Sequence, residues 1–222
     1  MRSSTTNEGD GRMRQGAKPA VIFASMPVSG ELRRLIPPGA AIITADAGWK
    51  NAAALGLEID LAVGDFDSST PPTTAKELIC LPAEKDDTDT HYATRLAVER
   101  GYNDILLLGA MGGRPDHAHG NLQTLLWLAM QGVKATMADE ENIIRCFGPG
   151  QHTVPATDGK WLSVFAAGGT TRGVYLRGVK YRLDNATLPP EQPIGVSNEF
   201  AADEAGIACS AGWLYVYVCK GE

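Results

Sequence analysis

Between Ala20 and Phe147 short apolar runs alternate with helix-like stretches, and this alternation limits the folds open to the chain more than any other feature. The runs AVIFAS (20–25), AAIITAD (40–46), DLAVGD (60–65) and DILLLGAMGG (104–113) are apolar on nearly consecutive residues, not on alternate ones. A strand with apolar side chains on both faces needs cover on both, as in a parallel sheet flanked by helices. Between the runs, DTDTHYATRLAVERG (87–101) carries acids at its start, apolar Tyr92, Ala93, Leu96 and Ala97, and Gly101 where a helix stops. PDHAHGNLQTLLWLAMQG (115–132) repeats the scheme, with Pro115 in the first turn and Gly132 after the last.

The texture changes beyond Gly148. GPGQHTVPATDGK (148–160) reads as heavy punctuation, and KWLSVFAA, GVYLRGVKYRL, IGVSNEF, GIACSA and GWLYVYVCK follow as short β-rich runs spaced for hairpins of an antiparallel sandwich. The expected architecture is an α/β N-terminal domain with a mainly parallel sheet over 18–147, then an antiparallel β-sandwich domain over 148–222. Residues 1–17 mix acids with bases, lack an apolar core of the signal-peptide kind and read as a disordered leader.

A length of 222 residues suits one large or two small domains, and no apolar run approaches the roughly 20 residues that cross a bilayer. The net charge of -6 argues against a broad nucleic-acid surface, which needs clustered Lys and Arg. Cys80, Cys146, Cys209 and Cys219 show no zinc-ribbon or redox spacing, so they read as thiols of a reducing compartment, with the cytoplasm as the expected location.

Chemistry concentrates just after the predicted strands, where open α/β sheets bind ligands. VGDFDSSTPP (63–72) sets Asp65 and Asp67 two apart. On an extended strand they would share a face, roughly 6.6 Å apart, with Phe66 turned to the core. Their mutual repulsion is relieved by a hard cation such as magnesium, although Asp67 and Ser68 also suit a simple turn. Eight acids and two bases lie between Asp60 and Asp89. Within EKDDTD (84–89), Asp86 and Asp89 are placed to share a helix-start face, and Asp86 or Asp87 alone would serve as a cap. GAMGGRPDH (109–117) supplies glycines for close backbone approach and the fork of Arg114 for phosphate oxygens, ahead of a helix opening at Asp116. It matches neither the Walker A nor the dinucleotide glycine pattern.

In order along the chain, ADAGW, GDFDSS, KDDTD, GGRPDH and VSNEF resemble the motifs of the thiamine pyrophosphokinase (thiamine diphosphokinase) family. The resemblance implies transfer of diphosphate from ATP to the hydroxyethyl group of thiamine, giving thiamine diphosphate and AMP. It further implies a homodimer with sites across the subunit interface, and no nucleic-acid or membrane partner. By motif position Asp65, Asp67 and Asp89 look like magnesium ligands, with Asp46 and Asp116 as close acidic partners. Arg114, Lys85, Asp86 and Thr88 are implied at ATP, and Ser197, Asn198 and Trp213 at thiamine. The chain departs from the family pattern at Ala47, Trp49 and Lys50, and its first strand ends in SMPVSG where a glycine-rich loop is expected. No ligand contact is expected from that segment. Two other functions fit clustered acids: a metal-dependent phosphohydrolase, which would need no acceptor site, and a catalytically silent sensor.

Overall fold

The computed structural model describes residues 16–67, 70–84 and 86–221. Most of the expected leader and Lys85 therefore lie outside the described residues.

Six parallel strands form the first part of the sheet: β1 (Pro19–Phe23), β2 (Ala41–Ala45), β3 (Leu61–Gly64), β4 (Glu77–Cys80), β5 (Asp104–Leu108) and β6 (Lys134–Ala138). Their spatial order is β4-β3-β2-β1-β5-β6. The consecutive apolar residues of β1 and β5 are explained by two cores. Ala20, Ile22, Ile105 and Leu107 face one side, under Ala93 and Ala97 of helix α2 (Asp89–Glu99) and Leu125 and Leu128 of helix α3 (Pro115–Met130). Val21, Phe23, Leu106 and Leu108 face the other, with Leu32 and with Ala52 of helix α1 (Trp49–Ala54). These strand side chains are almost wholly removed from water.

Antiparallel pairing begins at β7 (Asn142–Phe147), which runs beside β6, so the sheet continues without a break into the second half of the chain. The remaining strands are β8 (Gly150–Pro155), β9 (Trp161–Arg177), β10 (Leu183–Leu188), β11 (Asn198–Glu199), β12 (Glu204–Cys209) and β13 (Ala211–Cys219). A separate core of Val154, Leu162, Val164, Val174, Leu176, Ile207 and Val216 fills the sandwich.

Two details differ from expectation. KWLSVFAA and GVYLR do not form a hairpin; they are one 17-residue strand, β9, that passes through both layers. Its first half pairs with β13 and its second with β12 and β10, so Val174 and Leu176 stay buried without a reversal at Gly168–Gly169. The punctuated stretch after Gly148 supplies a strand, β8, paired along its whole length with β12. Cys146 and Cys209 are buried, Cys219 is half-buried and Cys80 exposed, all as free thiols. Among the described residues, no helix is long and apolar enough to cross a membrane.

Candidate active site

Strand order reverses direction at β1, whose two neighbours are β2 and β5. Such a switch point splays the connecting loops apart and leaves a crevice at the carboxyl ends of the strands. Two adjoining cavities occupy it, sharing Ser25, Thr90 and His117. One, of about 170 Å³, is lined by Met26, Gly109, Ala110, Arg114 and Asn121. The other, of about 280 Å³, is lined by Asp46, Asp87, Thr88 and Asp89.

The candidate acids come from three elements; Asp46 and Asp89 line the crevice, whereas Asp65 and Asp67 line neither cavity. Asp46 leaves β2 with a left-handed backbone (φ 46°), uncommon for a residue other than glycine. Asp65 follows directly on β3, the neighbour of β2. Asp65 and Asp67 are not on an extended strand: Phe66 is itself left-handed (φ 52°), and the Asp67 N–H donates to Asp65 Oδ1 at 3.2 Å. The pair is thus gathered by a tight turn, with Asp65 half-buried and Asp67 exposed, while Phe66 packs on the α1-side core.

The start of α2 also departs from the expected arrangement. Its cap is Thr88, whose Oγ1 accepts from the His91 N–H at 3.1 Å, and neither Asp86 nor Asp87 serves. Asp86 is exposed outside the helix, so it shares no helical face with Asp89. Asp87 lies 3.4 Å from Arg95. Asp89 is the first helical residue, with its Oδ1 buried.

Arg114 and Asp116 flank the first turn of α3. Arg114 Nε and Nη2 donate to Asp116 Oδ1 and Oδ2 at 3.2 and 2.5 Å, a fork-on-carboxylate pair. The Arg114 guanidinium holds the Asp116 carboxyl down at about 2, so Asp116 stays ionised until pH falls toward that value. Behind them the buried Asn121 donates to Ala110 O at 2.7 Å and fixes the loop after β5.

The candidate metal ligands Asp65, Asp67 and Asp89 all offer carboxylate oxygen, the donor type that magnesium prefers. Among the described residues, no three Asp, Glu, His or Cys stand close enough to hold one ion. That set fits a cation held by one or two carboxylates together with substrate phosphates and water, the usual arrangement for magnesium.

The residues expected at thiamine lie elsewhere in the chain, and none of them lines the crevice. Ser197 is exposed and left-handed (φ 56°), with its N–H donating to Ser163 Oγ at 3.0 Å. Asn198 is buried: its Oδ1 accepts from the N–H groups of Tyr181 and Glu199, and its Nδ2 donates to Tyr181 O at 2.7 Å. Trp213 packs its ring over Gly148 and lines a groove of about 540 Å³ with Phe147 and His152.

The sequence reading did not select Ser25, Met26, Thr90 or Asn121 as site residues. Residues in the irregular stretch past a buried strand, or polar ones within the first two turns of a helix, have no distinctive spacing, so only the strand order identifies them.

A switch-point crevice bearing carboxylates on one side and an arginine at a helix start on the other defines a class of α/β protein suited to phosphate esters. The model of the thiamin pyrophosphokinase catalytic domain matches residues 32–137, and that of its vitamin B1 binding domain matches 151–214. Thiamine pyrophosphokinase from Bacillus subtilis (strain 168) is 31% identical over 160 residues, covering 69% of this chain and 75% of the relative. This chain belongs to the thiamine pyrophosphokinase family. The crystal structure of the B. subtilis enzyme superposes with a TM-score of 0.84 at 25% identity, over 92% of this chain and all (100%) of that one. A family protein from Enterococcus faecalis gives 0.78 at 30% identity, over 92% and 100%. The Candida albicans enzyme, at 15% identity, shares the fold with a TM-score of 0.76 over 92% of this chain and 90% of its own.

Proposed function

We infer that this chain transfers the terminal diphosphate of ATP to the hydroxyethyl group of thiamine, giving thiamine diphosphate and AMP. The observation that carries this reading is the crevice at the β1–β5 switch point, where Asp46 and Asp89 line one cavity and Arg114 the one adjoining it. In the reaction the thiamine hydroxyl oxygen bonds to the β-phosphorus of ATP. The bond from that phosphorus to the α,β-bridging oxygen breaks, AMP departs, and the hydroxyl proton passes to a base. Asp46, Asp89 and Asp116 are the acids at hand. Asp116, held at about 2 by Arg114, is a weak base for that proton.

Such a transfer calls mainly for alignment and charge neutralisation. Asp65, Asp67 and Asp89 are the carboxylates from which magnesium would take one or two ligands, and when bound it would neutralise and orient the phosphates. Asp46 is their acidic neighbour, Arg114 grips phosphate oxygens with help from Lys85, and Asp86 and Thr88 are assigned to ATP. Ser197, Asn198 and Trp213 are assigned to the thiamine side, Asn198 by holding the backbone at Tyr181. Since they stand away from the crevice of their own chain, the reading includes a homodimer in which they meet the ATP site of the second copy. Residues 18–147 then form the nucleotide-binding unit and 148–222 the thiamine-binding and dimerisation unit, in a cytoplasmic enzyme.

The test is acceptor dependence. ATP consumption should require thiamine; phosphate release from a nucleotide or phosphate ester at an equal rate without it would favour a metal-dependent phosphohydrolase.

A further inference from the structure

We propose that Asn51 is a positioning residue for ATP: its buried amide sets the course of residues 24–28, a stretch without regular structure whose first three residues wall the crevice. This rests on the reading of the crevice as the ATP site. Asn51 lies in α1, only 9% exposed, and lines neither cavity. Its Nδ2 donates to Ala24 O at 2.9 Å and to Met26 O at 2.8 Å, and its Oδ1 accepts from the Val28 N–H at 3.2 Å. Both amide hydrogens and the oxygen are thus spent on one short loop.

The same loop is tied on its other side to β5, since the Ala24 N–H donates to Leu108 O at 2.8 Å and the Met26 N–H to Gly109 O at 3.0 Å. Gly109 must be glycine: its φ is 66°, and a Cβ there would stand 2.5 Å from Met26 O and 3.2 Å from Asn51 Nδ2. Ala24 and Val28 pack on the flanking cores at the two ends of the loop, but Ser25 and Pro27 between them are exposed, so burial of side chains contributes little to its middle. Its position depends on hydrogen bonds, and only a primary amide supplies two donors and one acceptor in this space. Ala24, Ser25 and Met26 then present their surfaces to the cavity that also holds Arg114.

The experiment compares steady-state kinetics of wild type and Asn51→Asp, which keeps the shape but turns an oxygen toward two carbonyl oxygens. The folded variant should show a KM for ATP raised by about tenfold or more, with KM for thiamine and kcat within about threefold. An unchanged KM for ATP, or both KM values rising together, would overturn the assignment. Failure of the wild type to form thiamine diphosphate would instead count against the functional reading. Should Asn51→Asp not fold, amide exchange at Val28 in the wild type decides: ATP must slow it and thiamine must not, and exchange indifferent to ATP overturns the proposal.

Discussion

Asp46 and Gly64 meet backbone against backbone where two neighbouring parallel strands end. A Cβ on Gly64 would stand 3.0 Å from Asp46 Cα and 3.1 Å from its nitrogen. The absent side chain lets the left-handed Asp46 settle over the end of β3, one residue before Asp65. The loops that carry two of the acids are therefore packed as one unit.

Gly64→Ala tests that contact. The added methyl would press on main chain, which must give by a few tenths of an ångström, and overpacking of this kind costs about 1–3 kcal/mol. We expect a lower denaturation midpoint together with a fall in kcat/KM, because Asp46 and Asp65 are displaced with the backbone. Full activity in the variant would mean that the two loops move independently.

Asp67→Asn and Asp89→Asn remove charge while keeping shape. Each should lower kcat/KM by about 100-fold or more, the scale seen when a charge-stabilising group is lost, with circular dichroism unchanged. Asp67 is exposed, so its variant should also leave the thermal midpoint nearly unaltered. Retained turnover in Asp67→Asn would remove that residue from the metal assignment.

Arg114→Lys keeps a positive charge but loses the planar fork that now grips Asp116. The KM for ATP should rise by about tenfold. The pair also fixes a pH expectation. The Asp116 carboxyl is depressed to about 2 from its ordinary 3.8, so the interaction is fully present above that ordinary value and is lost only as pH falls toward 2. Titration of KM for ATP from about pH 5 to 9 should show no inflection from Asp116; an acidic inflection abolished by Asp116→Asn would contradict the pairing.

The parallel half of the fold was legible because buried strands leave a plain record. The consecutive apolar residues of β1 and β5 require cover on both faces, and helices α2 and α3 supply part of it. The signals of Gly101 and Gly132 also mark helix ends, both with positive φ just past α2 and α3. The sandwich was less legible. KWLSVFAA and GVYLRGVKYRL read as separate runs spaced for a hairpin, yet the second half of β9 finds partners in β10 and β12, which lie later in the chain. Tertiary pairing overrode the hairpin spacing there.

Within the site, the identities of the acids were readable but their geometry was not. Asp65 and Asp67 have the spacing of strand neighbours, but the left-handed Phe66 turns them into a tight loop. Thr88, not an acid, caps α2, because its hydroxyl falls three residues before the His91 N–H. Asn51 and Asn121 were invisible as positioning groups, since a buried amide acquires meaning only from the carbonyls that the fold brings to it.

In the reaction inferred for this chain, diphosphate leaves ATP for thiamine as one piece. Incubation of the purified protein with ATP, thiamine and magnesium, followed by chromatographic separation of nucleotides and thiamine species, tests it directly. AMP and thiamine diphosphate should accumulate in equal amounts. ADP with thiamine monophosphate, or nucleotide turnover without any thiamine ester, would contradict it.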